Sequence, residues 1–109
     1  MKTIKLGLVA ALGLAATAAG AETYIREGSQ AIDVRVVEGK LYCTRVSDGY
    51  EMCNGMTQRD LTTWKGRKMK HPDMPGFMKF NGTVVFYQNG LSIEGCALGI
   101  CDAEQWPKQ

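Results

Sequence analysis

Four cysteines, one histidine and a cluster of methionines carry most of the chemistry this 109-residue chain offers. Cys43, Cys53, Cys96 and Cys101 are spaced as two short-range pairs. The stretch Met69-Lys70-His71-Pro72-Asp73-Met74-Pro75-Gly76-Phe77-Met78 gathers three thioethers around the single imidazole. Soft thioether sulfur with one imidazole suits Cu(I), so Met69, His71, Met74 and Met78 form a candidate copper site. With one His, no catalytic or metal cluster built on several histidines is available. Ser92 has no Gly-x-Ser-x-Gly elbow around it, and Asp73 and Glu94 would form a carboxylate pair only through the fold. Cys96-x-x-x-x-Cys101 lacks the shorter C-x-x-C spacing of thiol–disulfide catalysts, so a structural bridge is favoured over a redox centre. The expectation is a protein without catalytic apparatus. An envelope hydrolase or redox enzyme is the least favoured reading.

The amino terminus sets the redox context. Lys2 and Lys5 precede an apolar run from Leu6 to Ala19, followed by Ala19-Gly20-Ala21, an A-x-A cleavage pattern. This reads as a secretory signal peptide over residues 1–21, leaving one domain over 22–109 in the periplasm or outside the cell. A run of about fourteen residues is too short for a stable membrane span. The formal charge of +2 comes from Lys2 and Lys5; without them eleven basic residues face eleven acidic ones. A balanced, exported domain is not a general nucleic-acid binder. In an exported domain this small, four Cys read as two disulfides, each adding on the order of 2–4 kcal/mol.

The elements that would position these residues are short and β-like. Ile32, Val34 and Val36 alternate with Asp33 and Arg35, a half-buried strand. Glu38-Gly39-Lys40 turns the chain, and Leu41 to Val46 forms the next strand. Ser47-Asp48-Gly49 supplies a three-residue hairpin loop with Gly49 left-handed. Val46 then opposes Tyr50, and continuing the ladder sets Cys43 opposite Cys53 with Cα atoms roughly 4.5 Å apart, within disulfide reach. Cross-links to Cys96 and Cys101 remain the alternative.

Residues 55–63 read as a loop or one helical turn. Trp64 to Met69 forms a strand with a basic outer face, and His71 to Gly76 a Pro-broken loop. Phe77 to Tyr87 is strand-like, with Gly82 either a turn or a bend inside one strand. Asn89-Gly90 is the stronger hairpin signal and would pair Phe86 with Ile93. Cys96 to Cys101 closes around a four-residue loop, and a last strand ends at Trp106. Six to eight short strands in about 88 residues give an all-β fold, a small antiparallel barrel or strongly curved sheet.

The C-terminal half resembles a known family. Trp64-x-Gly66 with Pro72, Phe80-x-Gly82-x-Val84-x-Phe86, Asn89-Gly90-Leu91-x-Ile93-x-Gly95-Cys96, and Cys101 followed by Trp106 are similar to motifs of small exported bacterial proteins that form a domain-of-unknown-function family. The likeness covers residues 40–106, with Gly95-Cys96-Ala97-Leu98-Gly99-Ile100-Cys101 its most specific piece. It implies a lipocalin-like, calycin-type antiparallel barrel with an inward Trp, and one strand over Phe77 to Tyr87. The family's Gly-x-Trp near the mature N-terminus and its polar middle insert are missing, which implies a shortened or partly open barrel. The resemblance brings no catalytic residue with it.

Within such a barrel Tyr42, Trp64, Phe86 and Trp106 either fill the core or line a ligand cavity. The functional expectation is binding of a small apolar molecule, an envelope component or a protein partner, with no cofactor. Copper is the alternative. Met74-Pro75 with Met78-x-Phe80 looks somewhat like the Met-rich motif of periplasmic copper chaperones, small β-barrels in which a Trp covers the metal, a part Trp64 would play here. Lys65, Arg67, Lys68 and Lys70 form a solvated strand face or a docking patch for anionic lipopolysaccharide or phospholipid headgroups.

Overall fold

Alternation of apolar and polar residues, cut at short intervals by Gly and Asp, builds strands and turns throughout the described part of the chain. The structure is a computed structural model that describes residues 21–109. The expected signal peptide lies outside the described residues, apart from Ala21. Eight strands follow in chain order: β1 (Ala21–Arg26), β2 (Gln30–Val37), β3 (Lys40–Arg45), β4 (Met56–Gln58), β5 (Thr63–Met69), β6 (Phe80–Tyr87), β7 (Gly90–Ala97) and β8 (Ile100–Pro107). Each pairs antiparallel with its neighbours in sequence, and no helix occurs among the described residues. The sheet curls into a nearly closed barrel with one unsealed seam. There β1 meets β8 through a single bridge, Tyr24 to Lys108, beside which the Gln109 N–H donates to the Thr23 carbonyl at 2.9 Å.

The inward faces carry the apolar residues. Ile32, Val34, Leu41, Cys43, Val84, Leu91 and Trp106 are buried, and Trp64 packs in the same core. Burying one such aliphatic side chain contributes about 1.5–3 kcal/mol. Tyr24 is also buried, edge-on to Phe86 with ring centroids 6.0 Å apart. Its hydroxyl donates to Glu22 at 3.4 Å. Burial first, and the Glu22 carboxylate second, push the Tyr24 phenol up from 10.0 to about 12. A raised folded value means this contribution to stability is complete below pH 10 and is lost as pH climbs towards 12. Ultraviolet difference titration is expected to show a tyrosinate transition near 12 that Tyr24→Phe removes.

The turns explain where the ladder departs from the sequence-based expectations. Glu38-Gly39 and Leu98-Gly99 are two-residue links with both residues left-handed, the geometry that suits the twist of a hairpin. Cys96 and Cys101 are therefore directly paired across β7 and β8, with a two-residue turn where a four-residue loop was expected. Their disulfide is formed, with Cα atoms 4.0 Å apart. Cys43 and Cys53 are also joined, with Cα atoms 4.7 Å apart.

The register that led to the Cys43–Cys53 pairing is shifted by one residue. Thr44 opposes Glu51, and the Arg45 N–H donates to the Tyr50 carbonyl at 2.8 Å. Val46 does not oppose Tyr50, because its N–H donates to Ala31 of β2 at 2.9 Å. The loop thus has four residues, with Gly49 left-handed as expected and the Asp48 carboxylate accepting from the Tyr50 N–H.

Asn89-Gly90 is not the turn either. Tyr87 pairs with Gly90, Phe86 with Leu91 and Val84 with Ile93, so Gln88 and Asn89 form the link. Gly90 is a glycine because a Cβ there would sit 2.5 Å from the Trp106 carbonyl oxygen and 3.1 Å from the Pro107 Cα. Gly82 lies within continuous β6, which begins at Phe80 rather than Phe77. Its missing side chain makes room for Met69, which folds over it. Residues 55–63 contain strand β4, anchored by buried Met56 under Gly66. β1, which the sequence reading did not assign, supplies the first edge of the barrel.

Candidate functional site

A meander places the β1–β2, β3–β4, β5–β6 and β7–β8 connections at one end of the barrel. A pocket of about 40 Å³ opens there. Its floor and walls are Met52, Met69, Phe80, Ile93, Gly95 and Trp106. Its polar edge is Lys70, His71, Asp102 and Glu104. By the space one water occupies, the pocket holds about three waters or the end of a short alkyl group.

Each part is positioned by the fold. Ile93 and Gly95 alternate inward along β7, and Asp102, Glu104 and Trp106 do so along β8. Phe80 opens β6 and Met69 ends β5, paired with each other. The Cys43–Cys53 disulfide ties the segment after the β3 hairpin to the barrel. That segment then holds the His71 loop. The Lys70 N–H donates to the Met52 carbonyl at 3.0 Å, and the Tyr50 hydroxyl donates to the His71 carbonyl at 3.3 Å.

Beneath the polar edge lies an ion pair that bridges the seam. Arg26 of β1 is 1% exposed. Its Nε donates to Glu104 Oε1 at 2.8 Å and its Nη2 to Oε2 at 3.0 Å, a two-pronged contact. Its Nη1 donates to Gln30 Oε1 at 3.0 Å, and the Glu27 and Asp73 carboxylates lie at 3.4 and 3.7 Å. The Trp106 indole N–H donates to Glu104 Oε1 at 2.9 Å. Burial pushes the Glu104 carboxyl up, but the hydrogen bonds from Arg26 and Trp106 and the charge of Arg26 outweigh it and hold it below the ordinary glutamate value.

His71 faces the same carboxylates. Its Nδ1 accepts the Asp73 N–H at 3.1 Å, which leaves the ring proton on Nε2. Nε2 lies 3.6 Å from Asp102 and 3.7 Å from Glu104. The trio has the donor types of a metal site. As arranged, however, Nε2 presents a proton rather than a lone pair, and both Glu104 oxygens are taken by Arg26. Glu94 also lies near Cys96 and Cys101, whose sulfurs are bonded to each other. The lining residues include no hydroxyl and no thiol.

The sequence-based candidates divide. Of the four aromatics, Trp106 lines the pocket. Trp64 is core, Phe86 packs on Tyr24, and Tyr42 lies half-buried beneath Arg35, whose guanidinium sits 5.4 Å from the ring centre. Of the copper candidates, Met69 and His71 line the pocket. Met74 is 41% exposed in the β5–β6 loop, and Met78, half-buried, is not among the lining residues. Met52 is a pocket thioether that sequence reading passed over, as were Arg26, Asp102 and Glu104. The one signal for Arg26 and Glu104 was their alternation with Tyr24 and Trp106, at positions where an apolar residue is the norm. The chain matches no family model, no curated protein and no solved structure.

Proposed function

We infer that this is a non-enzymatic binding protein whose pocket takes a short apolar group carrying a polar or charged head. The supporting observation is the pocket itself: an apolar floor ending at Trp106, with Lys70, His71 and Asp102 grouped on one edge. Such a hollow with a few convergent polar groups is the usual form of a small-molecule site. The two disulfides fit a non-reducing, exported setting, and we place the protein in the periplasm or outside the cell.

Octanol, octanoate and octylammonium serve as probes, read by the indole N–H resonances of the two tryptophans. At least one is expected to shift the Trp106 signal saturably while leaving Trp64 in place. Gly95→Val fills the pocket, since a Cβ there already lies 3.3 Å from Met69 Sδ and 3.4 Å from Phe80 Cβ. It is expected to abolish the shift. No saturable shift with any probe, or an unchanged one in Gly95→Val, overturns the reading.

Cu(I) binding is the second reading, and the convergence of Met52, Met69 and His71 on one pocket favours it. It requires the Asp73 N–H to leave Nδ1, so that Nδ1 takes the metal or the ring proton moves there and frees Nε2. Competition with a Cu(I) chelator decides: tight one-to-one uptake, lost on Met69→Leu with His71→Ala, would displace the small-molecule reading.

A further inference from the structure

We propose that the pocket-bearing end of the barrel docks onto an anionic phospholipid bilayer, with the β7–β8 turn and the β5–β6 loop as its apolar contacts. Among the described residues eight large hydrophobic side chains are exposed, and five of them, Val46, Met74, Phe77, Leu98 and Ile100, belong to this end. Leu98 is 95% exposed, Phe77 84% and Ile100 74%. The β6–β7 register continued by two residues sets Lys79 opposite Leu98, so loop and turn share one rim.

Leu98 is the telling residue. It occupies the first position of a left-handed turn with φ 54°, where Asn, Asp or Gly fits best. Among the described residues the other two left-handed positions that are not glycine, Glu27 and Glu38, are polar. A branched apolar side chain in that backbone, almost wholly in water, gains nothing for the fold. The Cys96–Cys101 disulfide lies directly behind it and holds the two strands together at the tip. An apolar group on a braced tip is suited to enter an apolar medium outside the protein.

Charge identifies that medium. Arg67, Lys68, Lys70 and Lys79 flank the tip and loop, and among the described residues none of them is in an ion pair. The acids of this end have neighbours of their own: Glu27 and Asp73 lie 3.4 and 3.7 Å from Arg26, Asp48 pairs with Arg45 at 2.7 Å, and Asp102 lies 3.6 Å from the His71 ring. Free cations around an apolar point complement lipid headgroups that are negative above a hydrocarbon layer. The contact is peripheral, and it does not depend on what fills the pocket.

Co-sedimentation with vesicles tests this, comparing phosphatidylglycerol–phosphatidylcholine mixtures with phosphatidylcholine alone. The full chain is expected to bind the anionic vesicles and to release them as salt rises. Leu98→Asn suits the turn better than Leu, so its melting temperature is expected to hold or rise while vesicle affinity falls about tenfold. Lys68→Glu with Lys79→Glu is expected to weaken binding further and flatten its salt dependence. Gly95→Val is expected to bind vesicles normally, which separates this proposal from the pocket reading. Equal binding to both vesicle types, no binding, or loss of protein dimers rather than vesicle binding in Leu98→Asn would overturn it; the last would assign the tip to a second copy of the chain.

Discussion

Glu104→Gln is expected to lower folding stability by about 3 kcal/mol, measured as a shift in denaturant midpoint at constant slope. The substitution keeps the shape of the side chain and an acceptor for the Trp106 indole, so it isolates the charge. Arg26, 1% exposed, loses the two-pronged partner that compensates its burial. Glu27 and Asp73 at 3.4 and 3.7 Å offset part of that loss, and Glu104 itself keeps 23% exposure, which holds the effect at the lower end of the range for buried pairs. The pH dependence follows from the lowered folded value of Glu104. A depressed carboxyl contributes stability above its unfolded value, about 4.5, and loses it as pH falls through the folded one. The gap between wild type and Glu104→Gln is therefore expected to be full at neutral pH and to close below about pH 4.5. Arg26→Met with Glu104→Leu is expected to recover most of the loss, since two apolar side chains leave no buried charge.

Gly90→Ala is expected to be at least as damaging, about 3 kcal/mol or more by the same measurement. Two of the atoms nearest to the new Cβ are main-chain atoms of β8, the Trp106 carbonyl oxygen and the Pro107 Cα. Backbone cannot rotate aside. The end of β8 must move from β7, which breaks the Gly90–Pro107 and Leu91–Trp106 pairs and unseats the fully buried indole. Gly82→Ala is the control. There the obstruction is the flexible end of Met69, so a smaller loss is expected. Equal losses at both glycines would contradict the assignment of backbone contact at Gly90.

These two sites show what a single sequence discloses of this fold. The alternation Ile32-Asp33-Val34-Arg35 and the Pro-broken loop after His71 are local properties, and they are legible; Gly82 read locally as either a turn or a bend, and its place inside continuous β6 depends on pairing with β5 and β7. Both disulfides join residues close in sequence, the pairing that spacing favoured while leaving the crossed links open. Register was not legible where it depends on a third strand. Val46 looked free to pair with Tyr50 until β2 claimed its N–H, and Gly90 looked like a turn glycine because the approach of Trp106 comes from another strand. The pocket was harder still. Arg26 and Glu104 are 78 residues apart, and nothing in either neighbourhood announces the other. Trp106 was singled out as an aromatic. The polar edge around it depends on closure of the ring, a property of no local segment.

The neighbour-only pairing of the strands also sets an order of assembly. Seven of the contacts between strands join segments separated by a turn or a loop, and these form at low entropic expense as the chain emerges. The eighth, between β1 and β8, waits for the last residues, because the Thr23 carbonyl and Tyr24 find their partners in Gln109 and Lys108. Arg26 gains Glu104 only when β1 and β8 meet, so the desolvation of this ion pair belongs to closure of the ring.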